Sequence, residues 1–404
     1  MKQWKWAATT AVCAVVLAAC GGGESSVSSN NGIGFTQLVS FGDSLSDVGT
    51  YKVGSVAALG GGKWTVNSDT AKNWTELIAA LYGLPTPCPA QTGLFPLIPG
   101  FTGAPIQNFS SCRNYAQGSS RVTSTYGPNS TAVQTFVSAA NGGSTAGATA
   151  AASAAPLGLM AVPLVTQMST HLSNVGGSYS GKELVTIMAG GNDVFMNLNG
   201  VANAATGGAA AVGAAKLAGW SSTVQTAVAA GGTAASDAAV AAAVQGMAQA
   251  ATELTGYIKT LVVAKGAKYV TVVNLPDVSQ SPYAAAQSVQ IQGLLNTMVT
   301  TFNATLQTGL SGTSGVIILD AYSQGRDQIA HPSQYGLSNV TSVACSTTST
   351  ANPLAGSSLT CTTASTVPGD TSRYQFADQV HFTPYGYKLL AEFVTLKLVA
   401  ASWK

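Results

Sequence analysis

Four short β-prone runs, set between stretches of helical spacing, constrain this chain most. The first, 37–41 (Gln-Leu-Val-Ser-Phe), meets Gly42; the second, 183–188, runs on into Gly190 and Gly191. The third, 268–275, is stopped by Pro276, and the fourth covers 316–320. Helical spacing predicts helices over 71–82, 162–173, 288–310 and 384–400, and a long Ala-rich helix over 236–264. Adjacent parallel strands need long crossovers, usually helices, so the alternation predicts an α/β fold with a parallel sheet covered on both faces. Such sheets place ligand sites beyond the carboxyl ends of their strands. Residues just after each run are therefore the ones to inspect.

Three segments fall outside that pattern. The Pro-rich stretch 86–111 reads as an ordered insertion, and 131–156, rich in Ala, Gly and Ser, carries no assignable period. The Ala/Gly stretch 201–232 reads as a helical hairpin or a lid. Charged residues make up only 8% of the chain and the net charge is +2, so no basic field favours nucleic acid. The nearest approach to a basic cluster, 259–268, reads as an ordinary helix end.

The N-terminus reads as a targeting segment. Lys2 and Lys5 precede an apolar run at 7–19, which is too short for a membrane-spanning helix of ~20 residues. The run ends Leu17-Ala18-Ala19-Cys20 before three glycines, which resembles a bacterial lipoprotein signal with Cys20 as the lipidated residue. A plain secretory signal is the alternative. The expected division is a signal peptide at 1–19, a flexible Gly/Ser/Asn tether at 20–34 and one folded domain at 35–404. Gly21 after the Cys favours sorting to the outer membrane, by the same resemblance. The protein is expected to be exported: lipid-anchored facing periplasm or surface, or secreted, and monomeric.

Of six Cys, Cys13 leaves with the signal and Cys20 carries lipid. Cys88, Cys112, Cys345 and Cys361 remain, an even number that reads as two disulfides in an exported chain. Three pairings are possible; the local one, Cys88 with Cys112 and Cys345 with Cys361, is expected because each brackets a loop. No CxxC or HExxH spacing supports a metal site, and no cofactor is expected.

Four motifs carry chemistry. Phe41-Gly42-Asp43-Ser44-Leu45-Ser46-Asp47 puts a Ser in a tight turn after a strand, where its hydroxyl is presented; a Ser capping a helix is the plain alternative. It is not the Gly-x-Ser-x-Gly elbow, since Ser46 stands where the second Gly belongs. Asp378-Gln379-Val380-His381 places a carboxylate where it can accept from Nδ1 of the imidazole, and Ser is a poor nucleophile without such a base. The other two His are weaker candidates: His171 lies in the expected helix at 162–173, and His331 lies in a loop after Asp327. Gly190-Gly191-Asn192-Asp193 offers an amide to an oxyanion, and Arg113-Asn114-Tyr115-Ala116-Gln117-Gly118-Ser119 offers a backbone N–H. Asp47 and Asp193 read as structural acceptors, and Lys63, Trp64 and Asn67 as lining a groove.

In the order Ser, Gly, Asn, Asp-x-x-His, the chain resembles the GDSL, or SGNH, family of esterases and lipases from about residue 35 to its end. Asn274-Leu275-Pro276-Asp277 and Tyr335-Gly336-Leu337 add to the likeness. The resemblance implies a flavodoxin-like three-layer α/β/α sandwich with a mainly parallel, five-stranded sheet, and metal-free hydrolysis of carboxylic esters. It implies Ser44 as nucleophile, His381 as base and Asp378 as its orienting group, with Ser44 N–H, Gly118 N–H and the Asn192 side chain as oxyanion donors. Family members often carry two glycines in the second block. Ser119 takes the place of the second here, so the donor is Gly118 or Ser119. Substrates are expected among lipid-like or aryl esters. An acyltransferase or phospholipase of the same family, a carbohydrate deacetylase, and a surface lipoprotein that only binds a ligand are the alternatives.

Overall fold

The computed structural model describes residues 32–403. Its centre is a four-stranded parallel sheet: β1 (Gln37–Gly42), β2 (Glu183–Met188), β3 (Tyr269–Val273) and β4 (Val316–Leu319), in that spatial order. Strand β2 is buried along its whole length, as expected of a parallel sheet covered on both faces. Period two sorts the side chains. Val39, Phe41, Val185, Ile187, Val270 and Val272 point into one core, with helices Leu164–Asn174, Gly232–Tyr257 and Val289–Leu310. Leu38, Leu184, Met188, Val273 and Leu319 point into the other, against helices Trp74–Leu81 and Pro384–Ala400. The result is the three-layer α/β/α arrangement.

The sheet has four strands where the resemblance implied five. The remaining place, beside β1, is taken by residues 113–117. Ser40 N–H donates to Arg113 O, Tyr115 N–H to Ser40 O and Gln117 N–H to Gly42 O, a parallel pairing that holds a single bridge, Ser40 with Asn114. The pairing is short because the segment enters straight from the Cys88–Cys112 disulfide and turns away at Gly118.

The three segments outside the strand–helix pattern fold as follows. Residues 86–111 form a hairpin, Gln91–Leu94 with Ala104–Asn108, closed at its base by that disulfide. Residues 131–156 hold two helices, Thr131–Ala140 and Thr145–Ala154, capped by Ser130 and Ser144, whose hydroxyls accept from Val133 N–H and Gly147 N–H. Residues 201–232 hold helices Gly208–Ala218 and Ser222–Ala229; Ala211, Ala215 and Val228 are buried in the first core. The long Ala-rich helix spans Gly232–Tyr257 and continues through a π turn, Ile258–Val262. The second disulfide joins Cys345 to Cys361. Among the described residues no helix is long and apolar enough to cross a membrane.

Candidate active site

The site is assembled where the sheet's strands end. Gly42 closes β1 against β2, and a Cβ there would lie 2.5 Å from Met188 O, so only Gly lets the strands finish this close together. Gln167, from helix Leu164–Asn174, clamps the same peptide: its Oε1 accepts from Gly42 N–H and its Nε2 donates to Gly42 O, both at 2.9 Å. The chain then turns, with Ser46 N–H on Asp43 O, and Ser44 sits at the turn. Asp47 fixes the far side of the turn: Oδ1 accepts from Gly49 and Thr50 N–H, and Oδ2 accepts from Gly118 N–H at 3.0 Å.

The second arm comes from the far end of the chain. After strand Tyr374–Phe376 the backbone folds back, Ala377 N–H donating to His381 O. Asp378 Oδ1 accepts from the N–H groups of Val380 and His381, so the Asp-x-x-His spacing closes a tight local loop. His381 Nδ1 lies 2.8 Å from Asp378 Oδ1, and Nε2 lies 2.9 Å from Ser44 Oγ. Residues 337 positions apart are thus joined in one hydrogen-bonded chain. Asp378 and His381 are both buried. Burial opposes charge on Asp378, but the His381 ring, Ser358 and the Val380 N–H outweigh it and hold the carboxyl well below the usual carboxylate range.

Asn192 stands in the first turn of helix Gly191–Ala204, after Gly190 at φ 112°. Its Nδ2 donates to Ser120 O at 2.9 Å, which holds the amide toward the cavity described below. The next residue, Asp193, is paired to Arg121 at 2.8 Å, and both are buried. Arg121 also donates to Leu217 O and Ala218 O, so the 201–232 helices serve to anchor this corner. None of their residues lines the cavity, and the lid alternative for them is set aside.

The Gly118/Ser119 choice is sharpened by geometry. The Gly118 N–H is directed to Asp47, while Ser119 lines the cavity. Ser119 has φ 69°, a left-handed conformation natural to glycine. Gly118 keeps its own requirement: a Cβ would lie 2.4 Å from Trp64 Cζ2.

Ser44 and His381 open onto a cavity of about 540 Å³ with mostly apolar walls, among them Leu45, Ile98, Leu157, Phe195, Leu275 and Leu354. Ile98 comes from the stapled hairpin, Pro156 from the end of the 131–156 insertion and Leu157 from the residue after it. Of the groove candidates, Trp64 lines this cavity. Lys63 instead pairs with Glu76, and Asn67 is buried in hydrogen bonds to Ser358 O and Cys361 O. Asp43 also lines the cavity, and burial raises its carboxyl to about 7.

The other two His lie elsewhere. His171 is buried among Phe41, Tyr115 and Tyr179, and burial lowers it to about 4. His331 is exposed and bonded to Asp327. No group of three or more His, Cys, Asp or Glu among the described residues could hold a metal ion. The expected signal at 1–19, Cys20 and most of the expected tether lie outside the described residues.

The family model of the GDSL-like lipase/acylhydrolase family matches residues 38–394. The chain belongs to that family. No curated protein compared with it matches. Membership makes the chain a hydrolase with small ester substrates and gives its α/β/α sandwich the SGNH fold. The two disulfides suit an exported GDSL-family protein. Sequence reasoning missed Gln167, Arg121 and the Ser358 N–H. Each acts on a distant partner through a contact that no local pattern announces.

Proposed function

We propose that the chain is a serine carboxylic ester hydrolase that works through an acyl-enzyme on esters with an apolar acyl group. The observation that carries this reading is the unbroken line Ser44 Oγ, His381 Nε2, Nδ1, Asp378, opening on an apolar cavity. Ser44 Oγ attacks the ester carbonyl while His381 Nε2 takes the hydroxyl proton. The C–O bond to the alcohol then breaks, and His381 returns the proton to the leaving oxygen. Water repeats the sequence: His381 takes its proton, hydroxide adds to the acyl carbon, and the acid leaves as Ser44 regains its proton. Asp378 stays ionised throughout, fixing the Nδ1–H tautomer and favouring the imidazolium that forms in each step.

Charge developing on the carbonyl oxygen would meet Asn192 Nδ2, Ser44 N–H and a backbone N–H of the 118–119 turn. Because Gly118 N–H is held by Asp47, Ser119 N–H is the third donor in this reading. The chain fold from residue 35 onward is taken as one hydrolytic domain. A signal at 1–19, lipid on Cys20 and a tether at 20–34 would hold it at the outer membrane.

The test is hydrolysis of p-nitrophenyl esters from acetate to palmitate by the mature protein and its Ser44→Ala variant. Loss of a nucleophile of this kind lowers kcat by roughly 10⁴ to 10⁶. Equal activity of the two proteins would remove Ser44 from the mechanism. Membrane attachment is tested separately by Cys20→Ala, which should be released from membranes; a variant still processed and membrane-bound would refute the lipid anchor.

A further inference from the structure

The imidazole of His381 is held at both nitrogens, but hydrogen bonds in the ring plane do not stop it from tilting out of that plane. One face of the ring is covered. The indole of Trp64 lies with its centroid 4.8 Å from that of His381 and the planes 32° apart. Trp64 is itself fixed from several sides. Its ring packs edge-on against Tyr51, Tyr387 Oη donates to its carbonyl, and the α-carbon of Gly118 presses on its six-membered ring with no room for a Cβ. Trp64 is buried and its Nε1–H has no hydrogen-bond partner among the described residues. Burying that N–H without an acceptor is unfavourable, and Phe would cover the same face without the penalty. What the indole offers in exchange is the strongest π face for a cation among the natural side chains.

We propose that Trp64 is a positioning residue for the base: its indole braces the His381 ring in line between Asp378 and Ser44 and favours the ring's protonated form. The inference rests on His381 acting as the base, as set out above. Imidazolium forms twice per turnover in that mechanism, and each time the positive charge lies within the ~6 Å over which a ring face attracts a cation. The brace also explains why position 118 must be Gly, since any Cβ there would displace the indole from His381. The other charged or titratable groups facing His381 are Asp378 and Asp43, with Tyr387 behind them. Asp43, raised to about 7 and coupled to His381, titrates in the same window, so the variants are compared in an Asp43→Asn background, which isolates the indole.

The experiment is an NMR titration of the His381 Cε1–H resonance, assigned by its loss in His381→Gln, in the Asp43→Asn parent and in the same protein with Trp64→Phe or Trp64→Leu. Leu keeps the apolar cover and removes the π face; Phe keeps a weaker one. The expected result is a midpoint about 0.4 to 0.7 pH units lower in Trp64→Leu, with Trp64→Phe between it and the parent. The acid limb of the kcat/KM profile should move in step. A midpoint in Trp64→Leu within about 0.1 unit of the parent, or above it, overturns the proposal. Should Trp64→Leu lose its near-ultraviolet dichroism, fluorinated tryptophans placed at position 64 keep the shape and weaken the π face. The midpoint should then fall with each added fluorine, and an unmoved midpoint is again fatal. The titration needs no turnover, so it stands or falls apart from the Ser44→Ala activity test.

Discussion

The backbone N–H of Ser358 donates to Asp378 Oδ2 at 2.9 Å. That bond ties the carboxylate behind His381 to the loop closed by Cys345–Cys361. Asn67 tightens the same loop by donating to Ser358 O and Cys361 O. The loop therefore does for Asp378 what Asp378 does for His381: it fixes a hydrogen-bonding direction.

Replacing Cys345 and Cys361 by Ala together should cost about 3 kcal/mol of stability through loop closure, and should also lower kcat, because Ser358 is no longer held on Asp378. Removing Cys88 and Cys112 should cost a similar amount and leave kcat nearly unchanged, since that hairpin meets the cavity through Ile98 and not through the triad-like chain. Thermal melts and kcat measured on both double variants check this. Equal effects on kcat would mean that the Ser358 contact does not matter to the site.

How much of this was legible in the sequence depends on the range over which each residue acts. The strands were readable from short apolar runs ending in Gly or Pro, and all four lie in the sheet where those runs stand. Ser44, Asp378 and His381 could be nominated because each lies in a compact motif, and the structure brings them within hydrogen-bond reach. The fifth edge of the sheet was not readable, since residues 113–117 have no apolar alternation and are held there by three backbone bonds to β1. The helices at 131–156 were hidden for another reason, whereas the 201–232 pair was read as a helical hairpin or a lid. Ala favours helix but supplies no polar contrast, so the chain carries propensity without a period. Gln167 and Arg121 were silent because a Gln or Arg in sequence does not declare the backbone groups it will clamp.

The oxyanion reading separates two positions. Asn192→Ala should reduce kcat by about 10² to 10³ with a smaller effect on KM, the expected loss for one oxyanion donor. Ser119→Gly keeps the backbone N–H and relieves a side chain at φ 69°, so it should retain kcat within about a factor of two and melt at an equal or higher temperature. A large loss of kcat in Ser119→Gly would assign a role to its hydroxyl and contradict the backbone reading.

Arg121 and Asp193 form a buried pair in which every main partner is supplied by the protein. Arg121→Met alone should destabilise by about 3 to 5 kcal/mol, because Asp193 loses its buried counter-charge and keeps only the Val122 N–H. Adding Asp193→Asn should recover part of that loss. The urea midpoints of both variants test the point, and a double variant no more stable than the single one would show that the Arg contacts to Leu217 and Ala218, not the ion pair, dominate.

Asp43 gives a pH dependence of definite sign. Burial is the main cause of its raised value of about 7, reinforced by Asp193 and opposed by Leu45 N–H and His381. From its ordinary value of 3.8 up to about 7, the folded protein therefore keeps a proton that the unfolded chain has released. More protons on the native state means that stability falls as pH rises through this window, and levels off above it. Asp378 acts in the opposite sense: held low in the fold, it contributes stability above the unfolded value that is lost as pH falls through the folded one. Asp43→Asn removes the first effect and leaves the second. Urea unfolding at pH 4.5, 6 and 8 should then show the variant gaining on the wild type as pH rises, with the largest advantage at pH 8. Parallel curves for the two proteins would mean that Asp43 is ionised in the fold across this range, and that the Leu45 and His381 contacts outweigh its burial.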